Sequence, residues 1–143
     1  MMGLDVGDKR VGVAVSDPLG ISASPFMTLE RTGDGDEFRL ILSIARDQQV
    51  SRIIVGLPRL LDGGLGTQAE KTQEFVEKLA GLTDAPIEMF DERLSTDMAE
   101  QLLRDSGKDQ EEIRRKKDAA AAALILQWYL DEKAGEPNKT TEG

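Results

Sequence analysis

Residues 1–17 read MMGLDVGDKRVGVAVSD, and the order of apolar and turn residues in this stretch decides the fold. Met1 to Val6 and Val11 to Val15 are short β-prone runs, and GDKR (7–10) between them is a turn, so the chain opens on a β-hairpin. Asp5 breaks the apolar pattern of the first run. An ionised carboxylate among apolar neighbours is costly unless a positive group shares the site. Lys9 or Arg10 across the hairpin could supply that charge, and so could a metal ion.

Working outward, ISASPFMTLE (21–30) alternates weakly and predicts a third strand, with Pro25 placing it at a sheet edge because proline cannot donate to a ladder. In GDGDEFRLILSIARDQQ (33–49), Asp34 and Glu37 have the spacing of a capping box, and Phe38, Ile41, Leu42 and Ala45 recur at helical spacing. RIIVGLP (52–58) predicts a buried strand and LLDGGLG (60–66) a loop. Thr67 and Glu70 repeat the capping-box pattern before a helix whose inner face is Ala69, Thr72, Val76 and Leu79. PIEMFDE (86–92) predicts another strand. A helix follows from Ser95 or Thr96 to near Gly107, and residues 109–135 predict one long helix or two in tandem.

This order predicts an α/β protein with a mixed five-stranded sheet and helices on both faces. Residues 1–133 form one domain and 134–143 a polar tail. In such sheets polar residues at the carboxyl ends of neighbouring strands converge on one edge, where Asp5 and Glu92 fall.

The chain has no cysteine and no histidine, which excludes disulfides, thiolate sites, imidazole bases and the usual zinc sites. Chemistry must run on carboxylates, lysine, hydroxyls or bound cations. No stretch reaches the ~18 apolar residues of a membrane span, and a cytoplasmic protein is expected. The formal net charge of −9 argues against indiscriminate nucleic-acid binding through the global field and suits a site that gathers divalent cations.

Asp5, Glu92 in FDERLST (90–96) and Asp118 in KKDAAAAALIL (116–126) are acids in segments read as buried. Each has a simpler reading. Glu92 is then a solvated strand end, and Asp118, taken alone, reads first as the cap of a helix starting at Ala119. If the three meet, the balance changes, because two carboxylates ~4 Å apart repel by roughly 4 kcal/mol at an effective dielectric near 20. Hard oxygen donors of this kind select Mg²⁺ or Mn²⁺, and ions so held promote phosphodiester hydrolysis. The alanines from 119 to 123 let the last helix lie close to the sheet, which would bring Asp118 towards Asp5. Gly7 and Gly12 leave room for a phosphate backbone, although turn and bulge chemistry is the simpler reading of both and the preferred one for Gly12.

Candidate phosphate contacts are Lys9, Arg10, Arg59 beside the DGGLGT loop (62–67), Arg93, and the run Arg114, Arg115, Lys116, Lys117. Aromatics make up 4% of the chain, and Trp128 and Tyr129 lie in an apolar helix, so shape and phosphate recognition of structured RNA or junction DNA is preferred over base stacking.

Four segments, LDVGDKRVGVAVSD (4–17), IIVGLPRLLDGGLGTQAEKTQEFVEKL (53–79), FDERLST (90–96) and KKDAAAAALILQWYLD (116–131), resemble the YqgF/RuvX family in order and spacing. The resemblance implies a ribonuclease-H-like fold related to the Holliday-junction resolvases and a nuclease role in maturing the 5′ end of pre-16S ribosomal RNA. It also implies Asp5, Glu92 and Asp118 as the catalytic, metal-binding acids. The chain departs from the family in its short lead before Asp5 and in Leu60, where asparagine is common. The alternatives are a resolvase of branched DNA and a non-catalytic RNA-binding factor in ribosome assembly or transcription. An actin-like ATPase would need a second such domain. The oligomeric state stays open.

Overall fold

The computed structural model describes residues 1–58, 66–92 and 95–134, and the side chains at 92, 95–97, 114 and 115 lie outside the description. The strands are β1 (Met2–Val6), β2 (Arg10–Ser16), β3 (Ala23–Glu30), β4 (Ile53–Pro58) and β5 (Ile87–Glu92). The helices are α1 (Asp36–Asp47), α2 (Thr67–Ala80), α3 (Ser95–Asp105) and α4 (Gln110–Ala134). The sheet order is β3-β2-β1-β4-β5. β1, β2 and β3 form an antiparallel meander, while β4 and β5 run parallel to β1. The predicted mixed five-stranded sheet is therefore present, with β1 at its centre.

Strand alternation sends successive residues to opposite faces. Met2, Leu4 and Val6 of β1, with Val11 and Val13 of β2 and Ile53 and Val55 of β4, join Phe38 and Ile41 of α1 and Phe75 and Leu79 of α2 in one core. On the other face Ala14 and Ile54 pack on Ala122, Ile125, Leu126 and Tyr129 of α4. Helices thus cover both faces. Gly3 and Asp5, the odd residues of β1, belong to the α4 side.

Pro25 sits on an edge strand, as expected. The β2–β3 register passes from Val13↔Met27 to Ala14↔Pro25, so Phe26 is the extra residue of a β-bulge. Gln127 of α4 fixes the entry to this strand. Its Oε1 accepts from the Ala23 amide at 2.8 Å, and its Nε2 donates to the Ile21 carbonyl at 3.0 Å.

The helix starts differ from the capping-box expectation. α1 is capped by Gly35 with φ 84°, and α2 by the extended Gly66, neither with a side-chain cap. Asp34 instead accepts the Asp36 amide in a local turn, and Glu37 is drawn away by Arg31. Thr67 lies inside α2. At the other end of the chain, residues 110–134 form one helix. Asp109 accepts the Glu112 amide at 2.9 Å and caps it, so Asp118 is a mid-helix residue rather than a cap. Gly107, with φ 87°, ends α3 as expected.

Candidate active site

The approach of α4 to the sheet builds the site. Asp5 pairs directly with Gly12 across the β1–β2 ladder, so the two share a face. A Cβ placed on Gly12 would overlap the Asp118 carbonyl group and come within 2.8 Å of the Ala119 amide nitrogen. Gly12 is therefore the seat of α4, not a bulge residue, since the register shift lies beyond it at Val13/Ala14. Gly3 serves the same purpose further along the helix, where a Cβ would meet Leu126 Cβ at 2.8 Å and the Ala122 carbonyl at 2.9 Å. Facing these glycines, Ala119, Ala121 and Ala122 are buried. Glycine on the strands and alanine on the helix bring the two backbones together, and Asp118 comes to rest on the residue paired with Asp5.

Asp118 is held by Arg10. Its Oδ2 accepts from Arg10 Nε at 2.9 Å, with the acid side chain 17% exposed and the arginine side chain 34%. Arg10 lies two residues before Gly12, on the same face of β2. The hydrogen bond to Asp118, reinforced by the charge of that acid, raises the Arg10 pKa above its usual value. The arginine of the hairpin thus reaches the acid on α4.

Glu92 ends β5 opposite Pro58 of β4, and β4 lies between β5 and β1. Two strand spacings, about 10 Å, separate its strand from Asp5. Residues 88 and 90 of the same strand meet α4: Glu88 accepts from Tyr129 Oη at 2.9 Å, and Phe90 packs edge-on against Tyr129 at 5.8 Å. Position 92 has the same parity, and its side chain lies outside the described residues. Among the described residues no three acidic side chains are grouped closely enough to hold an ion.

Of the candidate phosphate contacts, Lys9 is exposed in the hairpin turn. Lys116 pairs with Glu112 at 3.8 Å, and Lys117 with Glu100 of α3 at 3.5 Å, so part of the basic run ties α4 to itself and to α3. The side chains of Arg114 and Arg115 lie outside the description. So do Arg59 with residues 60–65 of its loop, and Arg93.

The structure adds a support that motif reading passed over. Beneath the hairpin, Arg31 Nη1 donates to the Gly7 carbonyl at 2.7 Å, and Nε donates to Glu37 Oε2 at 3.2 Å. The guanidinium also lies 5.3 Å from the Phe75 ring centroid. Gln68 Nε2 donates to the Val6 carbonyl at 3.3 Å. Together these fix the chain just after Asp5. Glu37 is 3% exposed, and its Oε1 has no hydrogen-bond partner among the described residues. The one sequence signal was its place in an apolar helical stripe beside Phe38.

The donors fit a hard divalent cation. Asp118 of α4 rests over Gly12 on the sheet face that carries Asp5, β5 ends at Glu92, and the whole chain offers neither imidazole nor thiolate. Among the described residues no helix is long and apolar enough to cross a membrane.

The sheet order, the acid on its central strand and the final helix laid across that acid define a ribonuclease-H-like α/β protein. The chain superposes on Thermus thermophilus RuvC in complex with a Holliday junction substrate with a TM-score of 0.56 at 15% identity, covering 94% of this chain and 97% of that one. The Fowlpox virus resolvase, solved with Holliday junction DNA, gives 0.53 at 9% identity, covering 92% and 97%. At such identities the likeness concerns the fold. The chain belongs to the RuvX family, whose model, described as Holliday junction resolvase, matches residues 1–132. A Chloroflexus aurantiacus relative is 39% identical over 142 residues, covering 99% of this chain and 93% of the relative. One from Symbiobacterium thermophilum is 43% identical over 135 residues, covering 94% of each. Both carry the name "Putative pre-16S rRNA nuclease".

Proposed function

We propose that the chain is a cytoplasmic, metal-dependent endonuclease that hydrolyses phosphodiester bonds in the 5′-end maturation of pre-16S ribosomal RNA. Asp5, Glu92 and Asp118 are its carboxylates, and Mg²⁺ or Mn²⁺ its cofactor. The observation that carries this reading is the seat of α4 on Gly12, which brings Asp118 beside Asp5 on one face of the central strands. The names of the relatives support the choice of RNA.

Asp5 and Asp118 would hold the cation from the strand and the helix, with Glu92 from the end of β5. A bound divalent ion supplies Lewis acidity for the charge that develops at phosphorus. The chain's own residues do the rest. Arg10 fixes the Asp118 carboxylate and offsets part of the charge of two neighbouring acids. One of its five N–H donors is spent on Asp118, and the others can take a phosphate oxygen of the substrate. Gly12 keeps the helix near enough for both acids to act on one phosphate. Hydrolysis adds water to phosphorus with loss of the 3′ oxygen, leaving 5′-phosphate and 3′-hydroxyl ends.

The test replaces Asp5 by Asn, which keeps the shape and removes the charge. Mn²⁺-dependent cleavage of ribosomal RNA precursors should be abolished while the circular dichroism spectrum stays native. Undiminished cleavage takes Asp5 out of the mechanism, and RNA binding without turnover under any divalent ion by the unaltered protein overturns the enzyme reading. The family model's description favours a second reading, resolution of branched DNA. Four-way junctions assayed beside the precursors decide between the two.

A further inference from the structure

A cleft of about 730 Å³ opens between edge strand β3 and the α3–α4 pair, within the size range of small-molecule sites. Ala119 and Ala120, the residues after Asp118, line it together with Phe26 and Met27, and Arg10 reaches from it to Asp118. The cleft thus borders the candidate active site through Arg10 and Ala119.

Two features say what it takes. The first is Phe26, which the β-bulge leaves without a ladder partner and which is 41% exposed. The chain has four phenylalanines. Phe38 and Phe75 stack on each other in the core, and Phe90 packs on Tyr129, so Phe26 is the one turned to the cleft. The second is charge. In a chain of net charge −9, this mostly apolar cleft is bordered by Arg10, Lys108 and Lys116 against Glu30. Lys108 has no ion-pair partner among the described residues. An aromatic face among apolar walls with cations at the border matches the chemistry of a nucleobase and its flanking phosphates. An added β-strand from a peptide or a second copy suits it poorly, because Pro25 and the bulge interrupt the free edge.

We propose that this cleft receives an unpaired nucleobase of the substrate RNA, stacked on Phe26, with Lys108 and Lys116 on the adjoining phosphates and Arg10 facing the phosphate to be cut. The proposal rests on the endonuclease reading and specifies its substrate as a single-stranded stretch at the cleavage point. Low aromatic content argues against stacking as an average over the chain, but the bulge places one of the few aromatics in the cleft that Arg10 also lines.

The test uses the full chain and short single-stranded RNAs in which 2-aminopurine is moved through the sequence one position at a time, with divalent ions chelated. Quenching should peak at one position. Phe26→Ala should remove that quenching and weaken binding by roughly 5- to 150-fold, the range for stacking one base on an aromatic ring, while Phe26→Trp retains both. Lys108→Ala should lower the salt dependence of binding by about one phosphate contact. Equal affinity and quenching for the native protein and a natively folded Phe26→Ala overturn the cleft assignment and leave the nuclease reading standing, provided cleavage persists. Failure of the native protein to bind or cut RNA overturns both. Loss of a dimer in Phe26→Ala with RNA affinity unchanged gives the surface to a second copy and also overturns the proposal.

Discussion

The substitution Gly12→Ala tests the geometry on which the site depends. The added methyl would fall on the Asp118 carbonyl group, which is backbone of a helix with no freedom to slide. Ile125, Leu126 and Tyr129 are buried against the sheet, and Gln127 is bonded to the residues at the start of β3. The strain must therefore be relieved by lifting the N-terminal half of α4. Overpacking of this kind costs about 1–3 kcal/mol, and a clash against backbone belongs at or above the upper end. At roughly 3 °C of Tm per kcal/mol for a domain of this size, a fall near 10 °C is expected. A lift of about 1 Å at Asp118 should also cost cleavage on the order of 10²-fold at temperatures where the variant is folded. Gly3→Ala is the control. Its methyl meets the Ala122 carbonyl and Leu126 Cβ, about one and two turns beyond Asp118 towards the C-terminus, so it should lower Tm comparably with a smaller loss of cleavage. Thermal unfolding and Mn²⁺-dependent cleavage, measured on both variants, provide the comparison. A Gly12→Ala protein with native Tm and native activity would mean that α4 does not sit on β2, and the juxtaposition of Asp5 and Asp118 would go with it.

Arg31→Ala should be the most destabilising change beneath the hairpin, by about 3–5 kcal/mol in urea unfolding, because it leaves the buried Glu37 carboxylate without its counter-ion. A cost under 1 kcal/mol would show that Glu37 is not held as an ion there. Arg10→Met should cost only about 1 kcal/mol, since the arginine side chain is a third exposed. It should nevertheless enlarge the rise in Tm on adding Mn²⁺, because Asp118 then loses its arginine partner, and an unchanged rise counts against a cation held by Asp118. Burial, then the hydrogen bond to Glu88, raises the Tyr129 hydroxyl above its ordinary value of 10.0, so the folded protein keeps a proton that the unfolded chain loses. That contribution is complete below pH 10 and disappears as pH rises through the raised value. The stability difference between the native protein and Tyr129→Phe should therefore shrink across that alkaline window, and a constant difference would refute the assignment.

Element types and order were legible because strand and helix periods are local properties. The five strands and the helical stripes of α1 and α2 need only a few consecutive residues to declare themselves. What stayed hidden depended on distant partners. Asp118 reads as a cap because the segment before it, QEEIRRKK, shows little apolar stripe. The helix persists through it because Ile113 is buried and Lys117 reaches Glu100 of α3, neither visible from residues 110–117 alone. The capping boxes fail for a related reason, since glycines took the cap positions and Glu37 found a better partner in Arg31.

Gly12 and the alanine run are the two halves of one contact, and either half alone suggests something ordinary. A glycine in a strand suggests a bulge, and an alanine run suggests helix propensity. Joined, they let the helix backbone rest directly on the strand at Asp118 and Ala119, and backbones so close bring their flanking polar residues near one another. Asp118 follows from that geometry, and so does Arg10, which shares a face with Gly12 by strand parity. On the reading proposed above, a cation would join the two acids, while Arg10, bonded to Asp118 and partly exposed, already offsets part of the charge of Asp118. The close packing that stabilises α4 on the sheet is therefore also what carries Asp118 over the residue paired with Asp5.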